Sequence, residues 1–173
     1  MEHLTISMWS LVLLVAVALA FDFMNGFHDG ANSISTIVAT GALTPKQAVA
    51  FAAFFNFAAL WIFELKVAAT IGKGTVDPGL VDHYVIFGAL MGALAWNIIT
   101  WYYGIPSSSS HALVGGLVGA TVIKAGDMSP IVWSGFGKIL AFIVISPLVG
   151  FLIGGFLMVA VAWLFRKQSP HQA

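Results

Sequence analysis

One polar stretch, DFMNGFHDGANSIST at residues 22–36, decides how the rest of this chain is interpreted. It holds two carboxylates, two asparagines and three hydroxyls within an otherwise apolar sequence. A carboxylate at membrane depth is costly unless it serves a function, so this pattern predicts a wet or ligand-filled partner. A polar seam between packed helices is the alternative. At about 100° per residue, five polar side chains share one face of a helix: Asp22, Asn25, Asp29, Asn32 and Thr36.

The composition around this stretch is that of an integral membrane protein. Of the 173 residues, 60% are hydrophobic and 8% are charged, whereas soluble domains carry about 25% charged residues. The formal net charge is zero, so no nucleic-acid partner is expected. The absence of cysteine excludes disulfides and thiolate metal sites. The sequence therefore predicts an all-α, multi-pass protein of the cell membrane (plasma or inner), in contact with the lipid bilayer.

Apolar runs separated by turn residues predict several spans. The first run, Met8 to Leu43, is about 35 residues long, too long for one straight span of roughly 20. We therefore expect a broken, tilted or re-entrant segment, with Gly26 and Gly30 as points of interruption. Further spans are expected at residues 47–63, 84–103 and 139–165, the last kinked or divided at Ser146–Pro147, with loops at 72–82 and 124–138.

A second polar cluster lies near the middle of the chain. Ser107, Ser108, Ser109 and Ser110 follow Pro106 and precede His111 and a Gly-rich apolar run. Hydroxyls and free backbone N–H groups at a helix start form an anion site. The run at 112–123 is short for a full span, which favours a serine-rich re-entrant hairpin or a half-helix. A serine-rich surface loop with one helix cap is the alternative.

Neither polar cluster contains a lysine or an arginine. An anion bound here would therefore have to enter with cations, whether sodium, protons or a divalent metal bound to it. Asp29 with Asn25 or Asn32, together with Asp22, supplies the hard oxygen ligands that such cations prefer. The residues thus predict a cation-coupled anion symporter that needs no cofactor beyond its coupling cation, sodium or proton.

Two other classes of function stay open at this point. The serines could line a passive, channel-like pore, or Ser110 and His111 could belong to a membrane-embedded hydrolase. Adjacent serine and histidine are a weak signature for hydrolysis, because triads are recognised by their geometry in space. The sequence therefore favours a transporter over an enzyme.

Three segments together closely resemble the inorganic phosphate transporter (Pit) family: NGFHDGAN at 25–32, WNIITW at 96–101 and GIPSSSSH at 104–111. The resemblance implies phosphate as the substrate, carried with sodium or protons, or as a metal–phosphate complex. It implies functional positions at Asp29 and Asn32, and at the four serines and His111. With Thr36 added from the polar stripe, these positions form the expected phosphate site.

The resemblance reaches only the first of the two oppositely oriented halves of the family. It implies that residues 1–165 form one repeat of an inverted-repeat transporter, and that residues 166–173 are a truncated polar linker. The chain is then either an inactive fragment or a natural half-transporter. In the second case, a second-half polypeptide or a homo-oligomer would complete the site.

Overall fold

The computed structural model describes residues 7–62 and 74–166, where the regular structure is helical apart from one isolated β-bridge. The prediction of an all-α chain is confirmed. Within the described residues, three helices are long and apolar enough to cross a membrane: α1 (Met8–Ala39), α3 (His83–Tyr102) and α5 (Trp133–Phe165). The chain up to Val132 forms one compact unit and the chain from Trp133 forms a second, which contains α5. The helices are α1 (Met8–Ala39), α2 (Pro45–Ile62), α3 (His83–Tyr102), α4 (Ser109–Ala125) and α5 (Trp133–Phe165).

Helix α1 is continuous for 32 residues, a length of about 48 Å. Ser7 caps its start by accepting a hydrogen bond from the backbone N–H of Ser10 at 3.1 Å. The expected break at Gly26 and Gly30 is therefore wrong. A glycine costs only about 1 kcal/mol in a helix interior, whereas backbone groups left unpaired in lipid cost several kcal/mol each. The polypeptide turns away only at Gly41, whose φ of +74° favours glycine.

Helix α2 begins at Pro45, two residues before the span expected at 47–63. The side-chain oxygen of Gln47 accepts hydrogen bonds from the backbone N–H and the hydroxyl of Thr44, at 3.0 Å and 2.8 Å. The bond from the Thr44 N–H is one of the two bonds of a capping box, and Pro45 occupies the first helical position. The span expected at 47–63 is helical over 47–62, and residue 63 lies outside the described residues. It is not among the three helices that satisfy the length and hydropathy criteria for crossing a membrane.

Helices α3 and α4 pack through small residues. The backbone of Ala89 approaches Gly116 so closely that a side chain at Gly116 would collide with the Ala89 carbonyl oxygen. Helix α1 packs against α3, because Phe21 of α1 belongs to the same buried cluster as Leu90 and Ala93 of α3. The buried face of α3 recurs every fourth residue, at Val85, Ala89, Ala93 and Asn97.

Two loops are tied together at the end of α3 and α4 that lies away from the serines. Val76 and Ile131 form the isolated bridge, and both are buried. Asp82 caps α3 through the backbone N–H of Val85 at 3.0 Å, and its other oxygen lies 2.8 Å from Lys124 Nζ. The hydrogen bonds from Lys124 and then from Val85 lower the pKa of the Asp82 carboxyl.

Helix α5 is unbroken for 33 residues although Pro147 lies inside it. The alternative that the segment divides at Ser146–Pro147 is wrong, because an interruption in lipid would leave further backbone groups unpaired, while the alternative of a kink there stays a prediction. The helix also begins earlier than expected, at Trp133. Since α4 continues to Ala125, the loop predicted at 124–138 is confined to residues 126–132. Of the predicted linker at 166–173, only Arg166 is among the described residues.

Candidate functional site

A buried contact joins the two polar motifs of the sequence. Ser109, the first residue of α4, places its hydroxyl oxygen 2.6 Å from Asn25 Oδ1 and 3.1 Å from Asp29 Oδ2 on α1. Ser109 is only 5% exposed, while Asn25 and Asp29 are half-buried. The fold therefore brings together residues that lie 80 or more positions apart in the chain.

This contact has more acceptors than hydrogens. A serine hydroxyl carries one hydrogen, so Ser109 cannot donate fully to both the Asn25 amide oxygen and the Asp29 carboxylate. An ionised carboxylate accepts only. The contact is therefore rich in oxygen and, with Asp29 ionised, carries one formal negative charge. Oxygen ligands around a carboxylate are the environment that hard cations prefer.

The serine turn, residues 107–110, also borders a pocket of about 520 Å³, which Ser107 and Ser108 help to line and whose volume is within the usual range for small-ligand sites. Its polar lining comes from Trp96, Ser107, Ser108 and His111. The indole N–H of Trp96 donates to Ser107 Oγ at 3.0 Å, and the backbone N–H of His111 donates to Ser108 Oγ at 3.4 Å. Each serine oxygen thus accepts from the protein, and its hydroxyl hydrogen can point into the pocket.

The remaining predicted site residues lie apart from both features. Asp22, Asn32 and Thr36 are exposed on α1, and Ser110 is exposed on α4. Because α1 is continuous, Asp22 and Asn32 are about 15 Å apart along its axis. One ion could not contact both of them. The structure therefore unites Asn25, Asp29 and Ser109, and leaves the rest of the polar stripe facing outward from this chain.

The profile of the phosphate transporter family matches residues 25–173. The chain belongs to the phosphate transporter family. A probable low-affinity inorganic phosphate transporter of Rhizobium meliloti (strain 1021) is 59% identical over 160 residues, which cover 92% of this chain and 48% of that protein. A protein of the same description from Streptomyces halstedii is 45% identical, over 92% of this chain and 75% of that protein.

A solved structure described as "The sodium-dependent phosphate transporter" matches with a TM-score of 0.82 and 32% identity, over 94% of this chain and 42% of that one. The chain thus spans about half the length of the Rhizobium protein and of this structure. The Rhizobium and Streptomyces proteins and the solved structure are each described as phosphate transporters. Family membership and the long apolar helices make the chain a multi-pass membrane protein, and its bacterial relatives are consistent with the plasma membrane.

Sequence reasoning missed three side chains of this family member. Trp96 lies in an aromatic run typical of a membrane interface, and that pattern does not indicate its hydrogen bond to Ser107. Asn97 is fully buried, and neither polar atom of its amide has a partner among the described residues. His28 is also buried, and its Nδ1 has no hydrogen-bond partner among the described residues. A lone polar residue inside an apolar helix was the available signal for Asn97.

Proposed function

We propose that this chain forms one half of the pathway of a cation-coupled inorganic phosphate symporter. A second-half polypeptide, or a second copy of the chain, would supply the opposing wall, as in transporters that bind substrate between two repeats. The observation that carries the proposal is the contact of Ser109 with Asp29. This contact joins the serine turn, which suits an anion, to the carboxylate of Asp29, which suits a cation.

Phosphate would bind in the pocket at the start of α4. Ser107 and Ser108 offer hydroxyl hydrogens there, and His111 adds an imidazole. The first backbone N–H groups of α4 have no partners within the helix, and the helix dipole favours negative charge at that end. Asn32 and Thr36, exposed on α1, would contact phosphate only where the second half closes over that face.

The coupling cation would bind beside Asp29. Within the described residues, no three histidine, aspartate or glutamate side chains are grouped to hold a metal ion. The donors would therefore be one carboxylate with the neutral oxygens of Asn25 and Ser109. One negative charge matches a monovalent ion, and the description of the solved relative favours sodium over a proton. Asp22 would act elsewhere on the stripe, toward the second half.

Charge explains why the two ligands would depend on each other. Ser108 and Ser109 are neighbours, so phosphate at the pocket and ionised Asp29 would lie within roughly 10 Å of each other. Two like charges about 8 Å apart repel by about 2 kcal/mol at an effective dielectric constant of 20. Neutralising Asp29 with a cation should therefore tighten phosphate binding by roughly 30-fold. Phosphate would then enter mainly after the cation, which is the basis of symport.

The test replaces Asp29 in the transporter assembled from this chain and its second half. In proteoliposomes, wild type should accumulate radiolabelled phosphate against a gradient when sodium is high outside. Asp29→Asn removes the charge and should abolish accumulation, while phosphate exchange at equal concentrations persists. Asp127→Asn, which removes an exposed carboxylate from the loop after α4, is the control and should accumulate phosphate like wild type.

Three results would overturn the proposal. If Asp29→Asn accumulates phosphate to the wild-type level, Asp29 has no role in coupling. Uptake by wild type that never exceeds equilibrium would indicate a passive pore. Accumulation driven by a pH gradient, with no response to sodium, would reject sodium and favour the proton.

A further inference from the structure

We propose that Trp96 is a positioning residue for phosphate, acting through Ser107. Its indole N–H would occupy one lone pair of the Ser107 oxygen and so direct the hydroxyl hydrogen of Ser107 at the bound anion. This inference rests on the proposed function, because it concerns the same pocket.

The direction of the hydrogen bond follows from chemistry. Trp96 Nε1 lies 3.0 Å from Ser107 Oγ, and both residues line the pocket. An indole nitrogen can only donate, so Ser107 must be the acceptor. The single hydroxyl hydrogen of Ser107 is then directed away from Trp96, and a hydroxyl that already accepts is a stronger donor in its turn.

An anion gains from this arrangement for two reasons. It needs donors, and an unrestrained serine hydroxyl spends part of its time with its oxygen toward the ligand. The Ser108 hydroxyl is restrained in the same way by the backbone N–H of His111. The pocket therefore presents two hydroxyls whose acceptor sides are already occupied, one of them by a side chain that can be changed without altering the backbone.

A purely structural role for the same hydrogen bond is the competing explanation, because Trp96 and Ser107 lie on either side of the turn between α3 and α4. Backbone hydrogen bonds already close that turn. The N–H of Ile105 donates to the Thr100 carbonyl at 2.8 Å, and the N–H of Gly104 donates to the Trp101 carbonyl at 3.1 Å. Trp96 is also 52% exposed in this chain, so the turn does not depend on it for its core.

The experiment is a double-mutant cycle in the transporter assembled from this chain and its second half. Trp96→Phe keeps an aromatic ring and removes the N–H, and Ser107→Ala removes the acceptor. Trp96→Phe should raise the KM for phosphate by about five-fold, the effect of one neutral hydrogen bond. The maximal rate at saturating phosphate and the melting temperature should stay close to wild type. Adding Trp96→Phe to Ser107→Ala should have no further effect, because the two residues act through one bond.

Trp101→Phe is the matched control. It changes another tryptophan of α3, whose ring packs against Phe27 at 5.7 Å, and it should leave the KM unchanged. If Trp96→Phe lowers the melting temperature and leaves the KM unchanged, the bond is only structural and the inference is overturned. Independent, multiplying effects of Trp96→Phe and Ser107→Ala would overturn it too. If Ser107→Ala raises the KM and Trp96→Phe does not, the proposed role of Trp96 is overturned and the proposed phosphate site stands. If Ser107→Ala leaves phosphate dependence unchanged, the proposed phosphate site fails first, and the role of Trp96 fails with it.

Discussion

Replacing Ser109 by alanine is the sharpest test of how the two polar motifs work together. The change removes one buried hydroxyl that contacts both Asn25 and Asp29. It leaves the pocket-lining residues Ser107 and Ser108 in place. We therefore expect Ser109→Ala to weaken the response to the cation far more than the binding of phosphate.

The size of the effect follows from the bonds that are lost. A hydrogen bond to a charged group contributes about 1.5–3 kcal/mol, and a cation near Asp29 would lose one oxygen ligand as well. Since each 1.4 kcal/mol is a factor of ten, the sodium concentration for half-maximal uptake should rise roughly ten- to hundred-fold. The KM for phosphate at saturating sodium should change by less than about three-fold.

The assay measures phosphate uptake into proteoliposomes over a range of external sodium concentrations. Ser110→Ala is the control, because Ser110 is the next residue along α4 and is exposed. If the two variants show the same sodium dependence, the contact of Ser109 with Asp29 has no role in coupling. If Ser109→Ala instead raises only the KM for phosphate, Ser109 belongs to the phosphate site with its neighbours.

Four further outcomes are expected. Gly116→Ala should lower the stability of the protein by about 1–3 kcal/mol through overpacking, whereas Gly119→Ala, which has open space for its side chain, should not; equal melting temperatures would refute the close α3–α4 contact. Asn97→Leu should raise the melting temperature by a few degrees, because it removes a buried amide that has no hydrogen-bond partner among the described residues, and a fall would show that the amide is satisfied in the assembled protein. The pKa of Asp82 is lowered in the fold. The ionised Asp82 therefore contributes its full stabilisation above pH 3.8, the ordinary pKa of the group, and this stabilisation is lost as the pH falls through the lower folded pKa. The melting temperature of Asp82→Asn should therefore vary less with pH in the acid range than that of wild type. Finally, the chain reconstituted at a protein-to-lipid ratio low enough to isolate monomers should show no saturable, ion-dependent phosphate uptake, and such uptake would refute the need for a second half.

Much of the helical framework was predictable because hydropathy and turn chemistry are local. The start of α2 follows from Thr44 and Pro45, and the end of α3 follows from Gly104 and Pro106. The breaks expected in α1 and α5 were wrong for a reason that is not local. Gly26, Gly30 and Pro147 carry the same intrinsic penalties in any setting, but lipid makes an interrupted helix cost more than a continuous one.

The sequence by itself determined the membrane class, the family and the two polar motifs, because composition, hydrophobic periodicity and short motifs are readable along one chain. Only the tertiary structure decided that the serines lie in two places, with Ser109 against Asp29 and with Ser107 and Ser108 in the lining of a pocket. Periodicity gives the angle between neighbouring side chains on a helix, about 100°, but not which side meets another helix. That choice depends on how α4 lies against its neighbours, including the close approach of Gly116 to the backbone of Ala89 on α3.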